Sequence, residues 1–261
     1  MPTDHLLYRK SGHLGLITFN RPEARNAMTW EMYDALVAYC VEADSDSDVR
    51  VLVLRGAGDK AFVAGTDIAQ FLEFDAIDDG IRYERRLDAV LDKLEGITKP
   101  TIAQINGFAI GGGCALAAAC DLRICTPDSR FGIPISRTLG NCLSPANHAR
   151  FLDLIGPARL KELLYTARLL TADEAANIGL VNRVVPTFEV DAIVRELAET
   201  IASNAPLTIR SSKEMIRRVQ AHRRMVDELG DELVTLCYTS ADFREGVTAF
   251  LEKRAPQWKG V

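Results

Sequence analysis

Two runs, Leu6 to Lys10 and Leu14 to Asn20, flank Ser11-Gly12-His13 and predict a β-hairpin. Arg21-Pro22-Glu23 ends it. Thr29 is placed to cap a helix with Glu31 in its first turn, and Tyr33, Leu36, Val37, Cys40 and Val41 recur at helical spacing as its apolar face. Val49 to Leu54, mostly Val and Leu, reads as a buried strand, ended by Gly56-Ala57-Gly58. A short strand is expected at Ala61 to Val63, after which Asp67 is suited to cap a short helix reaching about Phe74. Asp75 to Gly80 predicts an acidic loop. Leu87, Val90, Leu91 and Leu94 mark the next helix, stopped by Gly96 and Pro100. Thr101 to Ile105 predicts a strand, Asn106-Gly107 a turn, and the glycine run beyond it an alanine-rich helix to about Cys120. Short strands follow at Leu122 to Cys125 and Arg130 to Phe131.

After Pro134 the pattern is helical almost to the end, with a stripe at Val190, Ile193, Val194, Leu197 and Ile201 and a new helix starting at Pro206. βαβ-like units therefore fill roughly the first 130 residues and helices the remainder, which predicts an α/β fold with a helical lid, packing arm or oligomer interface. Thr101 to Cys120 holds 20 residues without a charge and contains the GxxxG pattern Gly107 to Gly111, so a membrane span has to be weighed. Gln104, Asn106, the triple glycine and the lack of flanking aromatic belts favour a buried strand, turn and helix instead.

The chain's 261 residues suffice for a core without disulfide or metal staples. With 31 Lys and Arg against 36 Asp and Glu, it offers no broad basic face, which argues against a nucleic-acid partner. The six cysteines (Cys40, Cys114, Cys120, Cys125, Cys142 and Cys237) lie mostly in apolar runs, form no CxxC pair and have no histidine at zinc spacing. They read as reduced thiols of a cytoplasmic protein, and Met1 to Lys10 carries no apolar run that would suggest a secretory leader.

The chain lacks a GxSxG elbow, an HExxH helix and a Walker A loop. Gly56 to Ala61 spells GxGxxA after a strand, but Gly65 interrupts the long helix that a dinucleotide fold needs there. His5 and His13 fall in the hairpin and His222 in a basic helical stretch, where solvation is the expected role. His148 follows a Gly/Asn/Ser/Pro segment and could face a pocket, although a structural role is favoured for it.

Two segments carry more information: Ala61-Phe-Val-Ala64-Gly65-Thr66-Asp67-Ile68 and Asn106-Gly-Phe-Ala-Ile-Gly111-Gly112-Gly113-Cys-Ala115. Each sets small residues directly before a helix, where backbone N–H groups are free and attract negative charge. Brought together, two such loops would hold one oxyanion between two donors. Glycines that merely allow close helix–strand packing are an equally good reading of the spacing alone.

These segments, with Asn20 to Ala27, Lys99-Pro100 through Arg123, Thr171 to Val181 and Phe250 to Arg254, resemble the crotonase (enoyl-CoA hydratase/isomerase) superfamily over nearly the whole chain. The resemblance implies a spiral of ββα units over residues 1–195 and a C-terminal helical oligomerisation region over 196–261, giving a homotrimer or a hexamer. It implies an acyl-CoA substrate, coenzyme A entering only as part of that substrate, and no metal. The N–H groups of Ala64 and Gly112 would bind the thioester oxygen, with Gly65, Thr66, Asp67, Ile68 and Gly111 around them. Ala24, Arg25 and Ala27 would contact the coenzyme, Arg25 through phosphate oxygens. Lys253 would reach the nucleotide end from a neighbouring subunit.

The chain departs from the family where hydratases carry two glutamates: Ala115 follows the GGGC run, and Ile135 follows Phe131-Gly-Ile-Pro134. Both still line the expected acyl site, but neither side chain moves a proton. Replacement carriers are sought in Glu73, Asp75, Arg137, Cys142 and His148, while Asp67 is read as a helix cap. Arg137 could alternatively hold a second substrate carboxylate. Three functions follow: a hydratase/isomerase with a non-standard proton carrier, other enolate chemistry such as decarboxylation or thioester hydrolysis, and a silent acyl-CoA-binding protein.

Overall fold

The computed structural model describes residues 3–221 and 230–260. His222 lies outside the described residues. The hairpin forms as expected from β1 (Leu6–Ser11) and β2 (Leu14–Phe19). The Thr29 hydroxyl caps α1 (Trp30–Ser45) by accepting from the Met32 N–H. That helix buries Met32, Tyr33, Leu36 and Cys40, whereas Val41 is 48% exposed, so the apolar face is rotated from the expected one.

The chain then repeats a unit of two strands and a helix. The first unit is β3 (Val51–Gly56), β4 (Ala61–Val63) and, after a 3-10 turn at Ile68–Glu73, α2 (Asp79–Gly96). The second is β5 (Thr101–Ile105), β6 (Phe108–Ile110) and α3 (Gly112–Ala119). The third is β7 (Leu122–Cys125), β8 (Arg130–Gly132) and α4 (Ile135–Thr138), followed by α5 (Pro145–Thr166). The first strand of each unit joins one parallel run, β2-β3-β5-β7, and the second joins another, β4-β6-β8. Two sheets thus grow side by side as the chain spirals, which is the ββα spiral read from the sequence. The uncharged stretch Thr101 to Cys120 is β5, β6 and α3, and among the described residues no helix is long and apolar enough to cross a membrane.

The region after Pro134 is not purely helical. β9 (Leu170–Thr171) extends the small sheet antiparallel to β8, and β10 (Arg183–Val184) closes the large sheet beside β7. Two-residue strands carry no alternation that could betray them. Between them α6 (Ala172–Asn177) starts with a capping box of Thr171 and Glu174. Four helices end the described chain: α7 (Val190–Ser203), α8 (Pro206–Ala221), α9 (Asp231–Tyr238) and α10 (Ala241–Leu251). Val190, Val194 and Ala198 of α7 cover Val51, Val53, Ile102 and Ile124 on the large sheet. Helix α7 runs through the expected boundary between 195 and 196, and Val234, Tyr238, Phe243 and Val247 share the main core with β-strand residues such as Phe62 and Phe131.

Candidate active site

The two glycine-rich segments meet where α3 begins. A β-carbon on Gly113 would lie 2.0 Å from the Val63 carbonyl oxygen, so only glycine lets the first turn of α3 lie against β4. Gly111 precedes the helix at φ 54°, ψ −121°, a conformation closed to other L-residues. At the far end of α3 the buried Arg123 guanidinium donates to the Ala117 and Cys120 carbonyls at 3.2 and 2.6 Å. A cation at the C-terminus and an open N-terminus leave the positive end of the helix dipole toward Gly112.

This end of α3 borders a cavity of about 480 Å³. Most of the residues proposed from the sequence line it. Ala24, Arg25 and Ala27 come from the loop after β2; Ala64, Gly65, Thr66, Asp67 and Ile68 from the segment after β4. Gly111, Gly112 and Ala115 belong to α3 and its entry, and Ile135 and Arg137 to α4. Ala115 and Ile135 give hydrocarbon surface. Arg25 and Arg137 are exposed and form no ion pair among the described residues.

The remaining candidates lie elsewhere. Glu73, Asp75, Cys142 and His148 do not line this cavity. His148 sits in the first turns of α5, with Nδ1 3.0 Å from the Ser144 carbonyl oxygen of its own helix entry. Lys253 is exposed and outside the cavity of its own chain. Asp67 caps the 3-10 turn through the Ala69 N–H and pairs with Arg21 at 3.1 Å, which is the cap role expected of it. Among the described residues no group of three His, Cys, Asp or Glu side chains is arranged to hold a metal ion.

The oxyanion pair needs a correction. The Ala64 N–H donates to the Arg25 carbonyl at 3.1 Å and is unavailable to a ligand. That bond, with Asn26 Nδ2 donating to the Ala61 carbonyl at 2.7 Å, pins the Arg25 loop to β4. Two residues on, the Gly65 carbonyl and the Asp67 N–H are both taken by Met28 at 2.8 and 2.9 Å. The N–H between them, that of Thr66, has no acceptor among the described residues, nor has that of Gly112. A β-carbon on Gly112 would stand 3.7 Å from the Thr66 nitrogen, so the two free amides are neighbours. The Thr66 side chain is fixed by Tyr33 and Tyr83, whose hydroxyls lie 2.8 and 2.9 Å from its Oγ1.

Several lining residues escaped the sequence reading, Tyr83 and Glu84 of α2 among them. Glu84 of α2 is 3% exposed, and its two oxygens accept from the Tyr238 hydroxyl at 2.6 Å and the Ser144 N–H at 2.9 Å. Burial pushes its carboxyl up to about 8, with the two hydrogen bonds opposing and the charge of Asp88 adding to the rise. A signal was present: Glu84 falls on the helical row of Leu87, Leu91 and Leu94, spaced three, four and three residues apart. Tyr83 on the neighbouring row packs edge-on to Phe71 at 4.9 Å, and α10 closes over the same aromatic group with Phe243.

Comparison with known proteins agrees with this geometry. The family model for enoyl-CoA hydratase/isomerase matches residues 9–261. A short-chain-enoyl-CoA hydratase of Clostridium acetobutylicum is 37% identical over 257 residues, 97% of either chain. An enoyl-CoA hydratase/carnitine racemase structure from Magnetospirillum magneticum superposes with a TM-score of 0.81 at 33% identity, covering 100% of this chain and 97% of that one. A methylmalonyl-CoA decarboxylase bound to 2S-carboxypropyl-CoA superposes with a TM-score of 0.90 at 28% identity, covering 100% of both. Full-length matches in sequence and in backbone, on a chain whose two glycine-rich segments border one cavity beside α3, place it in the enoyl-CoA hydratase/isomerase family.

Proposed function

We infer that this chain binds an acyl thioester of coenzyme A and stabilises its enolate through the N–H groups of Thr66 and Gly112. The observation that carries the reading is that these two neighbouring amides at the mouth of α3 have no acceptor among the described residues. Donors aimed at charge that develops in the transition state are worth about 2.7–4 kcal/mol each. The helix dipole of α3 adds to them.

Decarboxylation of a 2-carboxyacyl thioester is the enolate reaction that this site supports best. The Cα–carboxylate bond breaks, its electron pair enters the enolate, and CO₂ leaves. No base is required, which suits Ala115 and Ile135. An apolar wall disfavours a carboxylate and not CO₂, and the unpaired Arg137 offers the carboxylate its first contact at the cavity edge. The high superposition on a methylmalonyl-CoA decarboxylase supports the same reading. Hydration or double-bond movement is the second reading, supported by the 37% identity to a short-chain-enoyl-CoA hydratase. Met215, Ile216 and Val219, exposed on α8, support a C-terminal oligomer contact, and Lys253 then serves a neighbour's site.

The test offers the purified protein methylmalonyl-CoA and crotonyl-CoA separately. Release of CO₂ from the first, with KM raised at least tenfold by Arg137→Ala, is expected. Loss of the enoyl absorbance of the second, without CO₂ release from the first, transfers the assignment to hydration. Tight binding of both with no turnover of either refutes enolate chemistry.

A further inference from the structure

The ionisable side chains that line the cavity are Arg25, Asp67, Tyr83, Glu84 and Arg137. Guanidinium groups do not give up a proton in proteins. Asp67 is engaged by Arg21 and by the turn that it caps. The Tyr83 hydroxyl is held by Thr66, and burial raises it well above the usual phenol range. Glu84 is the one left, and the decarboxylation step gives it no role.

We propose that Glu84 carries the proton to and from the α-carbon of the bound thioester, with Tyr238 and Asn141 as the residues that position it and register its charge. The proposal rests on the enolate reading above. It supplies what Ala115 and Ile135 lack, from a different helix.

The geometry describes a chain of three side chains. In the ionised form, the Tyr238 hydroxyl donates to Glu84 Oε1 at 2.6 Å and accepts from Asn141 Nδ2 at 2.9 Å. Asn141 Oδ1 is then buried without a partner. In the neutral form, Glu84 donates through Oε1 to the Tyr238 oxygen, and that hydroxyl turns toward Asn141. A half-turn of the amide gives it Oδ1 as acceptor, so the orphaned oxygen gains its bond. Ser144 N–H serves Oε2 in both states. Proton loss from Glu84 thus reverses the whole chain, and the neutral form is the one that satisfies Asn141 Oδ1.

The groups facing Glu84 belong to four elements. Tyr83 and Asp88 share α2; Tyr238 comes from α9; Asn141, Cys142 and Ser144 come from the loop before α5; and Tyr33 stands on α1. Arg150 of α5 reaches Asp88 at 3.5 Å and forms no bond to Glu84. Among the described residues Glu84 therefore has no cation as a direct partner, which keeps its proton transferable near neutral pH.

The step balances without a co-reactant. The enolate's electron pair forms the new C–H bond with the Glu84 proton, the carboxyl O–H breaks, and its pair stays as carboxylate. The thioester carbonyl re-forms as the charge leaves the oxygen held by Thr66 and Gly112. Water at the open cavity then reprotonates Glu84. In reverse, the carboxylate removes an α-proton.

The reverse step is the test, because it requires neither CO₂ nor an enoyl substrate. Wild-type protein is incubated with butyryl-CoA in D₂O, and α-deuterium is followed by NMR, with calorimetry for binding and thermal unfolding for integrity. Exchange should rise with pH through about 8 and then level, as the carboxylate forms. Glu84→Gln should bind butyryl-CoA within about twofold, lose at least about 100-fold in exchange and lose the pH step. Tyr238→Phe removes a donor to the carboxylate, so its step should move to higher pH. Exchange by Glu84→Gln at the wild-type rate, or an unmoved step in Tyr238→Phe, overturns the proposal while leaving the enolate reading intact. A folded Glu84→Gln that is only less stable, with the step unchanged, also overturns it. Should Glu84→Gln fail to fold, Tyr238→Phe decides. Absence of exchange in a wild type that binds butyryl-CoA overturns the proposal and leaves the decarboxylation reading to the CO₂ assay, whereas absence of butyryl-CoA binding removes the enolate reading and this proposal with it.

Discussion

The buried carboxyl of Glu84 should make the protein less stable as the pH rises, and the size of the effect can be worked out. In the unfolded chain the group titrates at its ordinary value of 4.5, and in the fold at about 8. Between those values the folded state holds a proton that the unfolded state has released, so unfolding becomes easier with every increment of pH. The stabilising difference is fully present below about 4.5 and is lost as pH approaches 8. At about 1.4 kcal/mol per pH unit, the penalty over that window reaches about 5 kcal/mol, or about 3 if water enters the ionised site and lowers the folded value. Glu84→Gln removes the titration while keeping the shape. Asp88, also raised by burial, remains in both proteins and largely cancels in their difference. Urea unfolding of both proteins at pH 5, 6.5 and 8 gives the comparison directly. The wild type should lose about 2–4 kcal/mol relative to Glu84→Gln between pH 5 and pH 8, since this window covers most but not all of the titration. A difference that stays flat, or that grows in favour of the wild type, would refute the claim that this carboxyl is held neutral.

Three other outcomes follow from single contacts. Thr66→Val leaves the buried Tyr33 and Tyr83 hydroxyls without their shared partner and should cost about 2–4 kcal/mol, read as a lowered thermal midpoint with the Thr66 N–H still in place. Gly113→Ala places a β-carbon 2.0 Å from the Val63 carbonyl oxygen, and a loss of at least about 3 kcal/mol or of soluble protein is expected; an unchanged midpoint would show that α3 can lift from β4. Ala115→Glu combined with Ile135→Glu should gain measurable hydration of crotonyl-CoA, and a folded double variant without it shows that the cavity differs from a hydratase beyond those two side chains.

Local signals carried much of the architecture. Thr29 at an N-cap, the hairpin turn at Ser11-Gly12-His13 and the leucine row of α2 each depend on neighbours close in sequence, and each forms as read. The oxyanion segment was legible only as a segment. Which of its amides is free depends on Arg25 and Met28, partners nearly forty residues earlier, and small residues at 64, 65 and 66 look alike to a pattern. Glu84 was hidden by context: between Tyr83 and Arg85 it resembles a solvated charge, and only Tyr238 and Ser144, brought in by later elements, take it out of water. His148 drew notice because it stands beside a loop, and its Nδ1 lies 3.0 Å from the Ser144 carbonyl oxygen at its own helix entry, outside the cavity.

The C-terminal helices complete the cavity as well as the outer surface. Phe250 of α10 lines it, and Tyr238 of α9 reaches Glu84 from a helix that a sequence reading assigns to oligomer contacts. The approach is close because residue 80 is glycine: a β-carbon there would lie 2.3 Å from the Tyr238 ring. Further along α2, the Arg150 guanidinium of α5 pairs with Asp88, Asp92 and Glu95, which ties that helix to α5. Glu84 is thus gripped between α5, α9 and its own helix before any substrate arrives. A carboxyl buried without a cation lowers stability, and a fold keeps such a group only where neighbouring contacts over-determine its position. The ring of contacts around α2 supplies that excess, so a side chain that weakens the fold as pH rises is held in place beside the cavity.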